Sequence, residues 1–232
     1  MSTSLPTIPP YAMPRPDELP DGRASWTVDP GRAVLLVHDM QRYFLAPFAR
    51  DVEPVSVLVA HIAALLRRAR ELGVPVLYTA QPGEQPPDDR ALLAEFWGPG
   101  PAAAYRDDPD VVDIIDELAP QPGDEVLTKW RYSAFQRSPL ADRLAHWGRD
   151  QLLVTGIYAH IGCMVTAVDA FMRDVQPFLV GDAVADFSRD HHDRALEWTA
   201  SRCGVVTTTA TVLSGLSAEL VPGLARGEPS CG

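Results

Sequence analysis

Ala33-Val34-Leu35-Leu36-Val37-His38-Asp39-Met40-Gln41 is the stretch that decides the fold. Five apolar residues run without interruption and are followed by His38 and Asp39. A short continuous apolar run is typical of a strand buried on both faces, as in the middle of a parallel sheet. In open α/β sheets, ligands bind just beyond the carboxyl ends of the strands. Asp39 is therefore predicted to lie where such a fold carries out its chemistry, although an acid that only caps the next turn would give the same pattern.

Similar short apolar runs recur along the chain and alternate with segments of helical periodicity. Five further strands are predicted, at residues 74–79, 125–128, 151–156, 177–180 and 205–208. Helices are predicted at residues 52–72, 111–118, 140–147, 164–173, 188–202 and 211–220, with a helical turn and a rigid loop within 92–105. Because parallel strands need crossover connections, we predict an α/β fold: a three-layer, doubly wound, Rossmann-like sheet of about six parallel strands with helices on both faces.

Length and proline distribution predict one main domain with irregular ends. The chain has 232 residues, an ordinary size for a single α/β domain. Residues 1–30 hold seven of the 22 prolines, and proline fixes φ and removes a backbone donor. We therefore expect residues 1–30 to form an extended arm that wraps the domain or a second subunit. Residues 31–220 form the predicted domain, and residues 221–232 a flexible tail.

Composition excludes several classes of partner. The net charge of −11 argues against a nucleic-acid or anionic-membrane partner, either of which needs a basic face. No stretch has the length and apolarity of a membrane-spanning helix, and no signal peptide is apparent. The three cysteines have no metal-ligand spacing. These features predict a reduced cytoplasmic protein.

Charged and polar residues follow several of the predicted strands. Asp39, Lys129 and the turn at Gly162 follow three different strands, and Gln81 and Arg90 follow a fourth. If these strands are neighbours, their carboxyl ends converge on one crevice. An acid, a lysine, a guanidinium and an amide in one crevice would suit a substrate that carries a carboxylate, which arginine binds with two hydrogen bonds. Taken alone, Lys129 and Arg90 could be surface charges and Gln81 a turn residue.

Five motifs stand out along the chain: His38-Asp39-Met40-Gln41, Tyr78-Thr79-Ala80-Gln81-Pro82, Phe96-Trp97-Gly98-Pro99-Gly100, Lys129-Trp130-Arg131-Tyr132-Ser133-Ala134-Phe135 and Gly156-Ile157-Tyr158-Ala159-His160-Ile161-Gly162. They occur in the order found in the isochorismatase family, and the chain resembles that family over about residues 5–215. The likeness is greatest to phenazine-pathway members that act on 2-amino-2-deoxyisochorismate. The isochorismatase domains of siderophore synthesis are nearly as similar.

This resemblance implies an enzyme that hydrolyses a vinyl ether and releases the enolpyruvyl side chain as pyruvate. It implies that Asp39 is the general acid and that Lys129 pairs with Asp39 and with the substrate. The residues implied to line the pocket are Gln81, Arg90, Tyr158 and the Gly162 backbone, with apolar walls from Phe44 and Trp97.

The resemblance also bears on a second reaction class. Related cysteine hydrolases, such as nicotinamidases, carry a nucleophilic cysteine at the turn after the fourth strand. Aligning Thr166-Ala167 places Gly162 at that position, and Cys163 one residue late, pointing about 100° away on a helix. We expect Cys163 to be a small buried residue. A cysteine amidohydrolase that uses Cys163, and a scaffold without catalytic activity, are the alternative hypotheses.

Vinyl ether hydrolysis needs no covalent intermediate. Protonation of the terminal methylene carbon gives an oxocarbenium ion, water adds, and the hemiketal collapses. General acid catalysis of this kind contributes about 10²–10⁴-fold. Lys129 favours the ionised form of Asp39 and burial favours the neutral form. Burial or the carboxylates of the substrate must therefore prevail if Asp39 is to donate a proton.

The histidines are expected to have structural roles, and no cofactor or metal is predicted because no two-His-one-carboxylate spacing is present. His38 is expected to orient the strand end and His160 to form hydrogen bonds in the glycine turn. His191 and His192, in the first turn of a helix, are expected to be solvated.

The resemblance implies a small-molecule substrate in secondary-metabolite or antibiotic biosynthesis, and a homodimer. Either a hydroxyl group or an amino group could stand at ring carbon 2 of that substrate. We expect no aryl-carrier domain after the last helix, and this expectation favours the amino substrate.

Overall fold

Six parallel strands form one sheet in the computed structural model, which describes residues 5–217. The strands are β1 (Ala33–His38), β2 (Val76–Ala80), β3 (Glu125–Thr128), β4 (Gln151–Ile157), β5 (Gln176–Ala185) and β6 (Val205–Thr207). They are ordered β3-β2-β1-β4-β5-β6, with every pair parallel. The direction of winding reverses between β1 and β4, where doubly wound sheets form their ligand crevice.

Helices connect the strands and cover both faces of the sheet. They are α1 (Arg42–Leu45), α2 (Val55–Glu71), α3 (Pro87–Arg90), α4 (Leu93–Trp97), α5 (Ala102–Asp107), α6 (Leu140–Trp147), α7 (Met164–Phe171), α8 (Arg189–Arg202) and α9 (Thr209–Ser217). A π-helical turn, Ala159–Cys163, leads into α7. Within residues 5–217, no helix is both long and apolar enough to cross a membrane.

Two apolar cores enclose the sheet, and β1 contributes to both. All six residues of β1 are buried. Successive strand side chains point to opposite faces. Accordingly, Leu35 and Val37 pack in the core shared with α2 and α9, whereas Val34 and Leu36 pack in the core shared with α6, α7 and α8. This arrangement confirms the predicted three-layer α/β fold with about six parallel strands.

Several predicted boundaries differ from those observed. The predicted helix at 111–118 is wrong, because two 3₁₀ turns, Pro109–Val112 and Asp116–Leu118, stand there instead. The predicted fifth strand ends five residues too early, since β5 extends to Ala185. Ser188 does cap α8, accepting a hydrogen bond from the His191 N–H at 3.2 Å. The predicted end of the last helix and the predicted tail lie outside the described residues.

The amino-terminal segment lies against the domain. Between residue 5 and β1 its one helical element is a 3₁₀ turn, Pro16–Glu18. Ile8 is buried, and its N–H donates to the Pro47 carbonyl at 2.9 Å. The Met13 N–H donates to a Glu53 carboxylate oxygen at 2.7 Å. The segment is therefore anchored along the domain by side-chain burial and by hydrogen bonds.

His192 is buried, so the expectation that it is solvated is wrong. Its Nε2–H donates to the Gly181 carbonyl at 2.9 Å, and its Nδ1 lies 3.2 Å from the Tyr11 hydroxyl, which donates to it. The arm covers this part of α8 through Tyr11, a contact between positions 181 residues apart. Burial lowers the pKa of His192 to about 4.

Burial of His192 predicts a specific loss of stability in acid. In the unfolded chain this histidine has a pKa near 6.5. Between pH 6.5 and pH 4, His192 is therefore protonated in the unfolded state but neutral in the folded state, so the free energy of unfolding falls as the pH is lowered. We expect His192→Gln to reduce the loss of unfolding free energy between pH 7 and pH 5 by about 2 kcal/mol, since each pH unit corresponds to about 1.4 kcal/mol. Urea denaturation at the two pH values measures this difference.

His146 provides the matched control because it is an exposed histidine on α6. His146→Gln should leave the difference between pH 7 and pH 5 unchanged. Equal acid sensitivity in wild type and His192→Gln would show that His192 does not supply this effect.

Candidate active site

A cavity of about 390 Å³ lies where the carboxyl ends of β1, β2, β3 and β4 meet. All eight residues predicted for the site line it: Asp39, Lys129, Gln81, Arg90, Tyr158, Gly162, Phe44 and Trp97. The strand-end rule explains why Asp39, Gln81, Lys129 and Tyr158 converge, since each directly follows one of these strands. The other four residues lie in the helices and turn that follow.

Asp39 and Lys129 form a buried ion pair in this cavity. Lys129 Nζ lies 3.2 Å from Asp39 Oδ2, and the two side chains are 4% and 8% exposed. Thr79, on β2 between them in the sheet, donates its hydroxyl to Asp39 Oδ1. The Asp39 backbone has a φ of 50°, a left-handed conformation that aspartate tolerates better than most residues. The carboxylate is thus held from two sides.

His38 contributes a neutral ring beside this pair. Its Nδ1 lies 2.8 Å from the Ile157 carbonyl, so Nδ1 carries the hydrogen. Burial lowers the pKa of His38 to about 4, which keeps the imidazole uncharged at neutral pH. The same Nδ1 is 3.6 Å from Asp39 Oδ2. Asp39 therefore faces one cation, Lys129, and one neutral ring.

Two glycines make room for His38. A Cβ at Gly162 would lie 2.1 Å from the His38 Cε1, and the His38 ring is completely buried. A Cβ at Gly156 would lie 2.2 Å from the His38 carbonyl oxygen, and Gly156 has a φ of +104°. No side chain can therefore be placed at position 162 while the ring of His38 remains where it is.

Arg90 is buried, which rules out the simple surface-charge interpretation. Its Nε donates to the Gly98 carbonyl at 2.9 Å, and its Nη1 donates to the side-chain oxygen of Gln85 at 3.1 Å and to that of Gln81 at 3.3 Å. All of these acceptors are neutral. The guanidinium is therefore held in place by groups that leave its charge unbalanced.

Aromatic side chains form the apolar walls. Tyr158 donates its hydroxyl to the Phe44 carbonyl at 2.7 Å, and burial raises its pKa, so the phenol stays protonated. Its ring stacks on Phe187 with centroids 4.3 Å apart, and Trp97 stacks on the same ring at 6.3 Å. The Trp97 indole N–H donates to the Tyr132 hydroxyl at 2.7 Å. These contacts fix the wall residues in a continuous aromatic cluster.

Cys163 does not line the cavity. Its thiol is completely buried and lies 3.9 Å from the Thr155 carbonyl. Burial raises the pKa of this thiol well above its usual value, so it is held as the unreactive thiol rather than the thiolate. This position agrees with the expectation that Cys163 is a small buried residue. The cysteine amidohydrolase hypothesis requires Cys163 in the cavity, and Cys163 is not there.

The remaining histidines fall outside the cavity. His160 donates its backbone N–H to Asp186 at 2.6 Å, and its ring Nδ1 lies 2.7 Å from the same carboxylate. Its ring stacks on His191, which is half-buried. Among residues 5–217, no three His, Cys, Asp or Glu side chains are grouped as a metal site.

Sequence reasoning missed several residues that line the cavity. Leu5 and Pro6 reach it from the arm, and Tyr43, Arg131 and Tyr132 contribute as well. Arg131 lies two residues after Lys129, and this proximity in sequence was the available signal. Nothing in the sequence places Leu5 or Pro6 at the cavity, because that contact depends on the path of the arm.

Comparison with known proteins gives two curated relatives that are similar over most of the chain. The chain is 53% identical over 213 residues to the Isochorismatase of Bacillus subtilis (strain 168), covering 92% of this chain and 67% of that protein. It is 52% identical over 211 residues to the Phenazine biosynthesis protein PhzD of Pseudomonas fluorescens, covering 91% and 99%.

Solved structures share the fold. A cysteine hydrolase from Pseudomonas syringae pv. phaseolicola 1448A aligns with a TM-score of 0.75 at 28% identity, covering 85% of this chain and 97% of that one. The Isochorismatase domain model matches residues 33–211, which run from the first residue of β1 into α9 and include the Asp39–Lys129 pair. With that match and two relatives above 50% identity across most of its length, the chain belongs to the isochorismatase family of hydrolases.

Proposed function

We propose that this enzyme hydrolyses the enolpyruvyl vinyl ether of isochorismate or of 2-amino-2-deoxyisochorismate and releases pyruvate. The buried Asp39–Lys129 pair at the edge of the cavity carries this proposal, because it places one acid where a substrate can reach it. The relatives named Isochorismatase and Phenazine biosynthesis protein PhzD support the substrate class. The ring product is 2,3-dihydro-2,3-dihydroxybenzoate or trans-2,3-dihydro-3-hydroxyanthranilate.

In the first step, Asp39 donates its proton to the terminal methylene carbon of the enolpyruvyl group. The electrons of the carbon–carbon double bond form the new C–H bond, and the ether oxygen shares the positive charge as an oxocarbenium ion. Asp39 is then an anion facing a cation, which stabilises the transition state. The Lys129 ammonium and the Thr79 hydroxyl stabilise the same anion.

In the second step, water adds to the oxocarbenium carbon and gives up a proton, which restores the acid form of Asp39. The hemiketal then collapses: the bond between that carbon and the ring oxygen breaks, the ring oxygen takes the hydroxyl proton, and pyruvate leaves. Protonation, addition of water and collapse of the hemiketal together need only one acid and one water molecule. We therefore propose that no nucleophilic residue, metal or other cofactor takes part.

Substrate binding resolves the conflict over the charge of Asp39. In the free site, Lys129 and Thr79 both stabilise the ionised carboxylate. A negatively charged substrate attracts the Lys129 ammonium group away from Asp39, and its binding displaces water from the cavity. Both changes favour the neutral acid. Substrate binding thereby favours the protonated form of Asp39, which is the form that donates the proton.

We expect Asp39→Asn to abolish pyruvate release while the protein stays folded, because the amide keeps the shape of the side chain but has no acidic proton to donate. A loss of at least about 10²–10⁴-fold is the usual contribution of a general acid. The assay couples pyruvate to lactate dehydrogenase and offers isochorismate and 2-amino-2-deoxyisochorismate separately. Circular dichroism verifies the fold.

Two results would count against the mechanism. A folded Asp39→Asn enzyme with a near-normal rate would remove Asp39 as the acid. A folded wild-type enzyme that releases pyruvate from neither compound would reject the proposed substrates. If both compounds react, the ratio of their kcat/KM values identifies which substituent at ring carbon 2 is preferred.

We expect Gly162→Ala to destabilise the protein and reduce activity, because its methyl group would overlap the His38 ring next to Asp39. Overpacking of this kind costs about 1–3 kcal/mol. Thermal denaturation and pyruvate release measure the two effects. Gly22→Ala is the control, since the nearest atom to a Cβ at Gly22 is 3.7 Å away. If both variants melted like wild type, the predicted overlap with His38 would be wrong.

We also propose that the enzyme is a cytoplasmic homodimer that serves secondary-metabolite biosynthesis. Leu92 and Phe96, near the cavity mouth, are 72% and 77% exposed, and exposed apolar side chains of this size favour association. Light scattering should give twice the mass of the chain. A result of one chain mass at micromolar concentration would exclude the dimer.

A further inference from the structure

The cavity carries more positive charge than its own acids balance. Three cations, Arg90, Lys129 and Arg131, line it together with the acids Asp39 and Glu95. Lys129 is paired with Asp39, but no carboxylate in the described part of the chain lies within ion-pair distance of either arginine. This concentration of positive charge occurs in a protein whose net charge is −11.

Arg131 is anchored through one of its nitrogens. Its Nη1 donates to the Asp89 carbonyl at 2.6 Å and to the Trp130 carbonyl at 2.7 Å. Both acceptors are neutral backbone groups. A guanidinium has five N–H donors in a planar fork. Nη1 fixes the side chain of Arg131, and its Nε and Nη2 groups have no hydrogen-bond acceptor among residues 5–217.

Arg90 and Arg131 line the same cavity and both carry a positive charge. Burial lowers the pKa of Arg90, the electrostatic interactions with Tyr43 and Tyr132 raise it, and that with Arg131 lowers it. Like charges that share one partly water-excluded cavity are stabilised when an anion binds beside them. Arg90 and Arg131 therefore both favour the binding of a negatively charged ligand.

The charge count indicates how many negative groups the ligand carries. When Asp39 is in the neutral form needed for proton donation, three cations face the single acid Glu95. The surplus is then two positive charges. The substrates proposed above each carry two carboxylates, one on the ring and one on the enolpyruvyl group, so a bound substrate balances the cavity.

We propose that Arg131 binds one of the two substrate carboxylates and that Arg90 binds the other, so that the site selects dianions. This inference rests on the proposed function and adds a substrate-binding residue to it. Arginine suits the role because its fork matches a carboxylate with two parallel hydrogen bonds.

Substitution of Arg131 tests this assignment through the separation of KM from kcat. Arg131→Met removes the charge but keeps an unbranched side chain, and we expect it to raise KM for pyruvate release about 10–100-fold while kcat changes less than about threefold. Arg131→Lys keeps the charge but loses the fork, so its KM should be intermediate. Arg106→Met is the matched control, because Arg106 is an exposed arginine outside the cavity. Its KM should stay within about twofold of wild type.

Substrate analogues identify the partner of Arg131. The ring carboxylate and the enolpyruvyl carboxylate are each replaced by a carboxamide in separate compounds. The wild-type enzyme should lose affinity for both, whereas Arg131→Met should lose little further affinity for one of them. The assignment would be overturned if wild type and Arg131→Met each lost the same affinity for both carboxamide compounds. Should Arg131→Met fail to fold by circular dichroism, Arg131→Lys takes its place in this comparison.

Binding without turnover separates this inference from the proposed function. In the Asp39→Asn background, calorimetry gives the Kd for isochorismate with Arg131 intact or replaced by Met, and with Arg106 replaced by Met. A Kd raised about tenfold or more by Arg131→Met alone supports the assignment, and a Kd within about twofold overturns it. This comparison decides the role of Arg131 even if wild-type enzyme releases no pyruvate, the result that rejects the proposed function.

Discussion

The ion pair between Lys129 and Asp39 is the interaction on which the site depends. It joins the end of β3 to the end of β1 across β2, and both side chains are almost completely buried. Removing two charges from water is costly unless their geometry is well satisfied. β2 provides that geometry, because Thr79 donates to Asp39 and the Lys129 N–H donates to the Ala80 carbonyl at 2.8 Å. The parallel order of three strands thus fixes the position of the acid.

The cavity around this pair has the opposite sign of charge from the protein as a whole. The chain is acidic, but its cavity is lined by more cations than acids. Low-dielectric walls, built here from Tyr158, Phe44 and Trp97, strengthen the field of such a cluster over a short range. An anion that reaches the cavity mouth is therefore attracted locally, while the outer surface repels other polyanions. In the proposed mechanism, the side chains that select the charge of the ligand lie in the same cavity as the proton donor.

Short apolar runs in the sequence are enough to predict the sheet and the residues at its strand ends. Contacts between residues far apart in the chain cannot be predicted in this way. The continuous apolar run of β1 predicts its burial, and the strand-end rule brings Asp39 and Lys129 into one crevice if their strands are neighbours. The pairing of the two side chains came from the resemblance to the isochorismatase family. His192 was misjudged because the arm covers it through Tyr11, a contact that no local pattern encodes. β5 was predicted too short because Gly181 and Asp182 interrupt its apolar run. In the structure its pairing with β4 continues past an irregularity to Ala185.

The packing of Gly162 against His38 limits how this enzyme could evolve. The fold is shared with a cysteine hydrolase, and a cysteine at position 162 would stand beside Asp39 and Lys129 in the cavity. The first atom of any such side chain would overlap the buried ring of His38. Acquiring a nucleophile there therefore requires that His38 move or be replaced by a smaller residue. A lineage that changes one position at a time would have to pass through a defective enzyme, so the two chemistries are separated by a mutational barrier despite their common architecture.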